Sequence, residues 1–286
     1  MEQIAQIVAN GVMAGCIYGL VAVSLALVFG VLDVPQFAFG AHAMIGGYIT
    51  AVLAGDNYWL GLAVGMVVLA LLGVMVQALV FDPLRNAPPA MLFIAAFGLL
   101  SVLQGLALIF FGPRVMTVKA PFEGTVSILG AQITYHRILV VAVAMLAVVF
   151  LNMFLRTTSL GRSIRASSQS RTGALVVGLS PRRIGIITMA IGSVLAGLAG
   201  GLLAPISQVY PTMGDSMILK AFVIIVLAGM GSINGALFGG LVVGLAESFG
   251  SAYISLEYRD VYPLLLLVLV LVVRPQGIFG RAERVA

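Results

Sequence analysis

Seven stretches of this chain run without a single Asp, Glu, Lys or Arg: 3–32, 34–55, 57–81, 86–113, 138–155, 184–214 and 221–246. Each reaches about 18 residues, the length at which an apolar segment is read as a helix crossing the hydrocarbon core of a bilayer. An eighth tract, 261–273, is shorter and reaches that length only with its flanks, or by snorkelling Arg259 and Arg274 outward. Soluble domains carry about a quarter charged residues, whereas charged residues make up 9% of these 286. The surface of such a chain has to meet lipid. The fold class expected is all-α, a polytopic helical membrane protein built as a single transmembrane domain over 1–286. The chain opens MEQIAQIVANG, with no basic n-region, and passes directly into a tract longer than a signal-peptide h-region, so no cleaved leader is expected. The lone cysteine, Cys16, lies in the first tract and rules out an intrachain disulfide. The sequence pI is about 9.7, but the excess charge is arginine at tract ends. Membrane orientation explains that placement, and nucleic acid is not an expected partner.

One segment breaks the pattern. "LGRSIRASSQSRTGALVVGLSPRRIG" carries Arg162, Arg165, Arg171, Arg182 and Arg183, and no acidic residue occurs between Glu123 and Asp215. Holding these and Arg156 at a bilayer centre would cost on the order of 15–20 kcal/mol at about 3 kcal/mol each. The segment, about 156–183, must therefore lie in water, and the positive-inside rule assigns it to the cytoplasm. Counting back from that anchor puts 112–137 outside, the Asp82–Pro89 loop inside and the N-terminus outside. Counting forward puts 205–219 outside. If 221–246 were one full span, Arg274, Arg281 and Arg284 would then lie on the wrong side. A hairpin of two short helices within 221–249, turning near "AGMGSINGALFGG", restores a cytoplasmic C-terminus and gives eight to nine crossings. Arg114, Lys119, Arg137, Lys220 and Arg259 are then the external basic residues.

Glycine recurs at four-residue spacing inside the tracts, as Gly11, Gly15 and Gly19, Gly197 and Gly201, or Gly240 and Gly244. Small residues at i and i+4 let helix backbones approach closely where no hydrophobic effect drives association, and tight packing is the first reading. Two places combine glycine with a helix break: "GVLDVPQFAFGAHAMIGGY", where Asp33 and Pro35 end one tract, and "LAGMGSINGALFGG". Interrupted helices survive in a membrane only where protein or a wet cavity satisfies the freed backbone groups, and their ends can meet a polar solute. Gln36, His42, Ser232 and Asn234 sit at these breaks beside Phe37, Phe39, Gly40, Gly231 and Gly235, either capping helix ends or lining a path. Glu247, the acidic residue placed deepest in an apolar tract, joins the candidate path, since intramembrane carboxylates tend to face cavities; an interfacial, solvated role is the other reading. His42 and His136 lie in unrelated segments, so no metal site is expected. No arrangement of nucleophile and base points to catalysis.

The arginine segment is patterned. Thr158 or Ser159 can cap a short helix that puts Arg162 and Arg165 on one face. Arg171 to Val177 can add a turn or two, stopped by Gly178. Ser180 and Pro181 then read as N-cap and first residue of the next span. Such an ordered unit exceeds what orientation requires and suits a docking surface. The chain has no G-x-x-x-x-G-K-[ST] phosphate loop, so any ATP is handled by another polypeptide.

Four strings, "GLVAVSLALVFGVLDVPQFAFGAHAMIGGYI", "TSLGRSIRASSQSRTGALVVGLSPRRI", "LAGLAGGLLAPISQVYPTMG" and "KAFVIIVLAGMGSINGALFGGLVVGLAES", occur in this order. Together they resemble the permease subunit family of branched-chain amino acid ABC importers, with relatives for urea and short amides. The resemblance covers nearly the whole chain. It implies a bacterial inner-membrane permease working with a second, related or identical permease. It also implies two cytoplasmic ATPase subunits, holding ATP and Mg, and a periplasmic solute-binding protein. It places Gly161, Arg165, Ala174 and Gly178 in the segment that contacts an ATPase. Where the family shows an Asn-Phe-Ala-His-Gly string, this chain has Gln36-Phe37-Ala38-Phe39-Gly40 with a histidine displaced to His42, which leaves the solute open between amino acids, urea and amides. The rival from another class is a gradient-driven secondary transporter or channel acting alone.

Overall fold

The computed structural model describes residues 2–274 and 277, except 35, 54, 56 and 129, and it omits the side chains of Ile128, Arg171 and Thr172. Eleven helices and one hairpin make up the described chain. Helix α1 (Glu2–Leu32) is followed by α2 (Phe39–Leu53) and α3 (Tyr58–Val76). A π-helical turn, Gln77–Phe81, extends α3. Next come α4 (Pro89–Phe111) and the antiparallel strands β1 (Thr125–Ile128) and β2 (Ala131–Thr134). Helix α5 (Tyr135–Thr157) leads into two short helices, α6 (Ser159–Gln169) and α7 (Arg171–Val176). The chain closes with α8 (Pro181–Leu203), α9 (Met213–Ala228), α10 (Ile233–Tyr253) and α11 (Val261–Val273).

Among the described residues six helices are long and apolar enough to cross a membrane: α1, α3 with its π turn, α4, α5, α8 and α10. Helices α2 and α11 are apolar but shorter. Helix α1 is the axis of the bundle. Of its most apolar window 83% is buried, against 22% for α4 and 28% for α5, so the last two present most of their surface outward. The core runs from Cys16 to Val31 of α1 and takes in the inner faces of α2, α8, α9 and α10.

The interhelical contacts are made by backbone. A Cβ built on Gly15 would lie 2.7 Å from the Gly240 carbonyl oxygen, and one on Gly244 would lie 2.4 Å from that of Gly11. The glycine stripe of α1 is thus seated on the glycine stripe of α10 at Gly15, while the side chains of Leu245 and Leu237 approach Gly11 and Gly19. Gly46 of α2 lies as close to Gly197 of α8, and Gly40 to Gly214 of α9. Close backbone approach of this kind replaces the hydrophobic driving force that lipid does not supply.

Local chemistry sets the helix ends. Asn57 caps α3 by accepting from the Trp59 N–H at 3.0 Å. Pro89 opens α4, and Gly112, at φ 72°, ends it. Asp33 adopts φ 59° after α1, a left-handed residue of the kind that closes helices. Its N–H still donates to the Phe29 carbonyl at 2.9 Å.

Two sequence expectations change. The span expected over 184–204 is present as α8, which stops at Leu203, but α9 starts at Met213, inside the external loop expected over 205–219. Charge misled that reading. Asp215 sits in the first turn of α9, where the helix dipole favours an anion, and Lys220 is buried within the helix. The hairpin expected in 221–249 does turn at 229–232, yet its second arm is not a half-helix: α10 has 21 residues. Arg281 and Arg284, used to set the expected orientation, lie outside the described residues, as does Pro35.

Candidate functional site

Three places gather the residues singled out by sequence. At one end of the bundle, α6 and α7 form a compact, fully capped unit. The Thr158 hydroxyl accepts from the Gly161 N–H at 2.9 Å and the Ser170 hydroxyl from the Gly173 N–H at 3.0 Å. Gly178 turns the chain at φ 79°, and Ser180 with Pro181 starts α8. Gly161 is there for space: a Cβ would lie 2.2 Å from the Phe154 carbonyl oxygen, so α6 folds back tightly on the end of α5. Ile164 and Ala174 are buried, and Ala174 lines a small cavity with Val31, Leu32 and Ile184. Arg162 donates to the Thr157 carbonyl at 2.9 Å, and Arg165 is exposed. Leu175, Val176 and Val177 are exposed as well. The Arg171 side chain lies outside the described residues. Arg182 has a counter-ion that local sequence conceals, Asp82, at 2.7 Å.

The two breaks meet near this same end, where Gly30 approaches the Cα of Gly231. Ser232 caps α10 by accepting from the Gly235 N–H at 3.1 Å. Asn234 accepts from Asn152 of α5, also at 3.1 Å. At the first break, buried Gln36 donates to the Met189 sulfur at 3.8 Å. The Phe37 ring stacks on Phe97 of α4 at 4.4 Å and leans on Phe222 of α9 at 5.5 Å. Phe39 and His42 are buried ring against ring, 5.4 Å apart. Gly40 is occupied in packing against α9.

Glu247 belongs to a third place. It lies 15 residues past Ser232 along α10, roughly 22 Å at 1.5 Å per residue, at the opposite end of the bundle. There a cavity of about 450 Å³ opens between α1, α9, α10, the end of α8 and the α10–α11 loop. Its floor is a network of charge. The side chains of Glu247 and Lys220 are 2% and 4% exposed, and Lys220 Nζ lies 3.0 Å from Glu247 Oε2. Asp260 Oδ1 is 2.9 Å from the same Nζ, and Arg259 pairs with Glu247 Oε1. The Tyr18 hydroxyl donates to Glu247 Oε1 at 3.0 Å and accepts from Lys220 at 3.2 Å. Burial works against the charge on Arg259, but Tyr18 and Glu247 beside it hold its guanidinium above the usual arginine range. Met13, Ile17, Ile206 and Met217 give the cavity an apolar wall. Gln36, Phe37, Phe39, Gly40, His42 and the 231–235 turn do not line it.

A family model described as "Branched-chain amino acid transport system / permease component" matches residues 7–271. The chain belongs to this family. The permease is 34% identical to the high-affinity branched-chain amino acid transport system permease protein LivH of Escherichia coli (strain K12), over 96% of this chain and 94% of LivH. It is 31% identical to the corresponding permease protein BraD of Pseudomonas aeruginosa, over 96% and 95% of the two chains. Among solved structures, PsaBC from Streptococcus pneumoniae in complex with Fab superposes with a TM-score of 0.50 at 12% identity, covering 96% of the permease and 93% of that chain. That likeness concerns the fold. The permease is a multi-pass membrane protein of a transport family.

Sequence reasoning found Glu247 and missed its partners. Lys220 and Arg259 were counted as external flank charges, and Tyr18 was hidden in a glycine-rich face. The available signal was the neighbouring pair Arg259–Asp260, one charge of each sign just ahead of an apolar tract.

Proposed function

We propose that this permease and a second, related or identical permease form the solute path of an ATP-driven importer for branched-chain or related amino acids in the bacterial inner membrane. Two cytoplasmic ATPase subunits bind ATP and Mg and dock on α6–α7, and a periplasmic solute-binding protein delivers the solute at the opposite end. Nine helices, α1–α5 and α8–α11, alternate across the bilayer with the N-terminus outside and the end of α11 inside. The observation that carries this reading is the α6–α7 unit itself. Both of its helices are capped, by Thr158 and Ser170, and it exposes Arg162 and Arg165 together with Leu175, Val176 and Val177. Coupling needs a contact that differs between states, and a rigid unit transmits a displacement that a floppy loop would absorb. The charge network also favours this reading over a gradient-driven carrier. Glu247 is engaged by both Lys220 and Arg259, which fix it in a structural network.

The test is Arg165→Glu in the intact assembly. ATP-driven uptake is lost while membrane insertion and yield stay at the wild-type level; normal uptake by this variant overturns the docking role. Uptake by the purified permease alone in liposomes, with no ATPase, would establish the gradient-driven reading instead.

A further inference from the structure

Arg137 also lines the cavity and donates to Asn10; the four charges of the network on its floor fall into two classes. Glu247 and Lys220 are fixed on α10 and α9, with side chains 2% and 4% exposed. Arg259 and Asp260 are consecutive residues of the α10–α11 loop, with side chains 52% and 67% exposed. The pairing is crossed: the loop cation sits on the buried anion and the loop anion on the buried cation. The loop that presents them is clamped by Tyr262, whose hydroxyl donates to the Ser255 carbonyl at 2.6 Å and accepts from the Ser255 N–H at 3.0 Å.

One cation and one anion a few atoms apart is also the description of an α-amino acid. We propose that Arg259 and Asp260 are a built-in zwitterionic plug over an amino-acid site whose fixed charges are Glu247 and Lys220. The α-ammonium of the solute takes the place of the Arg259 guanidinium on Glu247. The α-carboxylate takes the place of Asp260 on Lys220, with the Tyr18 hydroxyl beside both. The aliphatic side chain lies against Met13, Ile17, Ile206 and Met217. The cavity, at about 450 Å³, falls in the range of small-molecule sites, about 300–1,000 Å³. An ion-pair network in a membrane protein is a weak source of stability and a common mark of a solute path. Here it leaves two of its four members where they can swing out. A charge-for-charge exchange keeps the buried pair satisfied throughout. The inference rests on reading this permease as part of an amino-acid importer, and it adds the site, the ligand atoms recognised and the group that competes for them.

The test uses the full permease–ATPase assembly in nanodiscs, without ATP or binding protein, and reads binding of radiolabelled L-leucine. Arg259→Gln with Asp260→Asn removes both loop charges and leaves the Lys220–Glu247 pair. If the plug occupies the site about nine-tenths of the time, removing it tightens the apparent affinity about tenfold. Asp260→Asn alone, at an exposed loop position, shifts affinity in the same direction by less. Tighter binding is a gain that a misfolded protein does not show. Adding Lys220→Met to the double variant abolishes the gain. Neither 4-methylpentanoate nor 3-methylbutylamine, each lacking one of the two charges, displaces leucine. Unchanged leucine affinity in the double variant, or displacement by either analogue as strong as by leucine itself, overturns the proposal. Wild-type assembly with its binding protein and ATP is assayed in parallel for amino-acid uptake. Uptake together with unchanged binding in the variants sinks the plug alone, whereas no uptake of any amino acid sinks the importer reading.

Discussion

The α1–α10 seam offers a sharp test of how this fold is held together. In Gly244→Ala the new Cβ would lie 2.4 Å from the Gly11 carbonyl oxygen and 2.5 Å from Gly15 Cα, where ordinary contact begins at 3.4 Å. Both neighbours are backbone and cannot rotate away, so the two helices must part by about 1 Å along a seam packed like a protein interior. Overpacking of this kind costs about 1–3 kcal/mol, and replacing glycine within a helix returns about 0.5–1 kcal/mol. A net loss of about 1–2 kcal/mol lowers the unfolding midpoint by about 2–8 °C, at about 2–4 °C per kcal/mol for chains of a couple of hundred residues. Cys16, the only cysteine, adjoins the seam at 1% exposure, so a thiol-reactive fluorogenic dye reads its uncovering with no background from other sites. The comparator is Gly98→Ala on α4, where nothing lies within 4 Å of a built Cβ, and its midpoint stays level or rises. Equal midpoints for the two variants would refute the backbone-contact account of the bundle.

Two further outcomes follow from the same geometry. Lys220→Met leaves Asp260 without its cation and Glu247 with Arg259 alone, and breaking a buried ionic network costs about 3–5 kcal/mol. The Cys16 dye should therefore report early unfolding, partly restored when Glu247→Gln is added. Thr158→Ala removes the cap of α6, worth about 1 kcal/mol; hydrogen exchange should quicken at the amides of Gly161 and Arg162 while α5 keeps its protection, and uniform protection would count against the cap.

How much of this was legible in the chain depended on how local the cause was. The run from Thr158 to Pro181 was readable almost turn by turn, because a hydroxyl reaching an N–H three residues on and a glycine at positive φ are decided by immediate neighbours. The glycine stripes announced close packing but not their partners, since Gly15 meets Gly240 only through the folded bundle. Helix α9 is hidden in the sequence because Asp215 and Lys220 look like loop charges. What makes Lys220 a helical, buried residue is an anion on another helix and a phenol 202 positions away. The π turn was invisible for a related reason. It closes with the Asp82 N–H donating to the Gln77 carbonyl at 2.8 Å, and its five residues, QALVF, include no Pro or Gly to mark it. The path residues proposed from the breaks lie at the α6–α7 end, while the cavity draws on five separate stretches of chain. No window of sequence holds its floor.

The bare contact between α1 and α10 also bears on how the bundle can move. Interlocked side chains yield gradually when pried apart, whereas backbone set on backbone, as Gly15 is on Gly240, has no side chain to follow it. Displacement away from the seam leaves a gap that no side chain fills at Gly15 and Gly240. Of the ways the two helices could part company, separation is the one this seam opposes most.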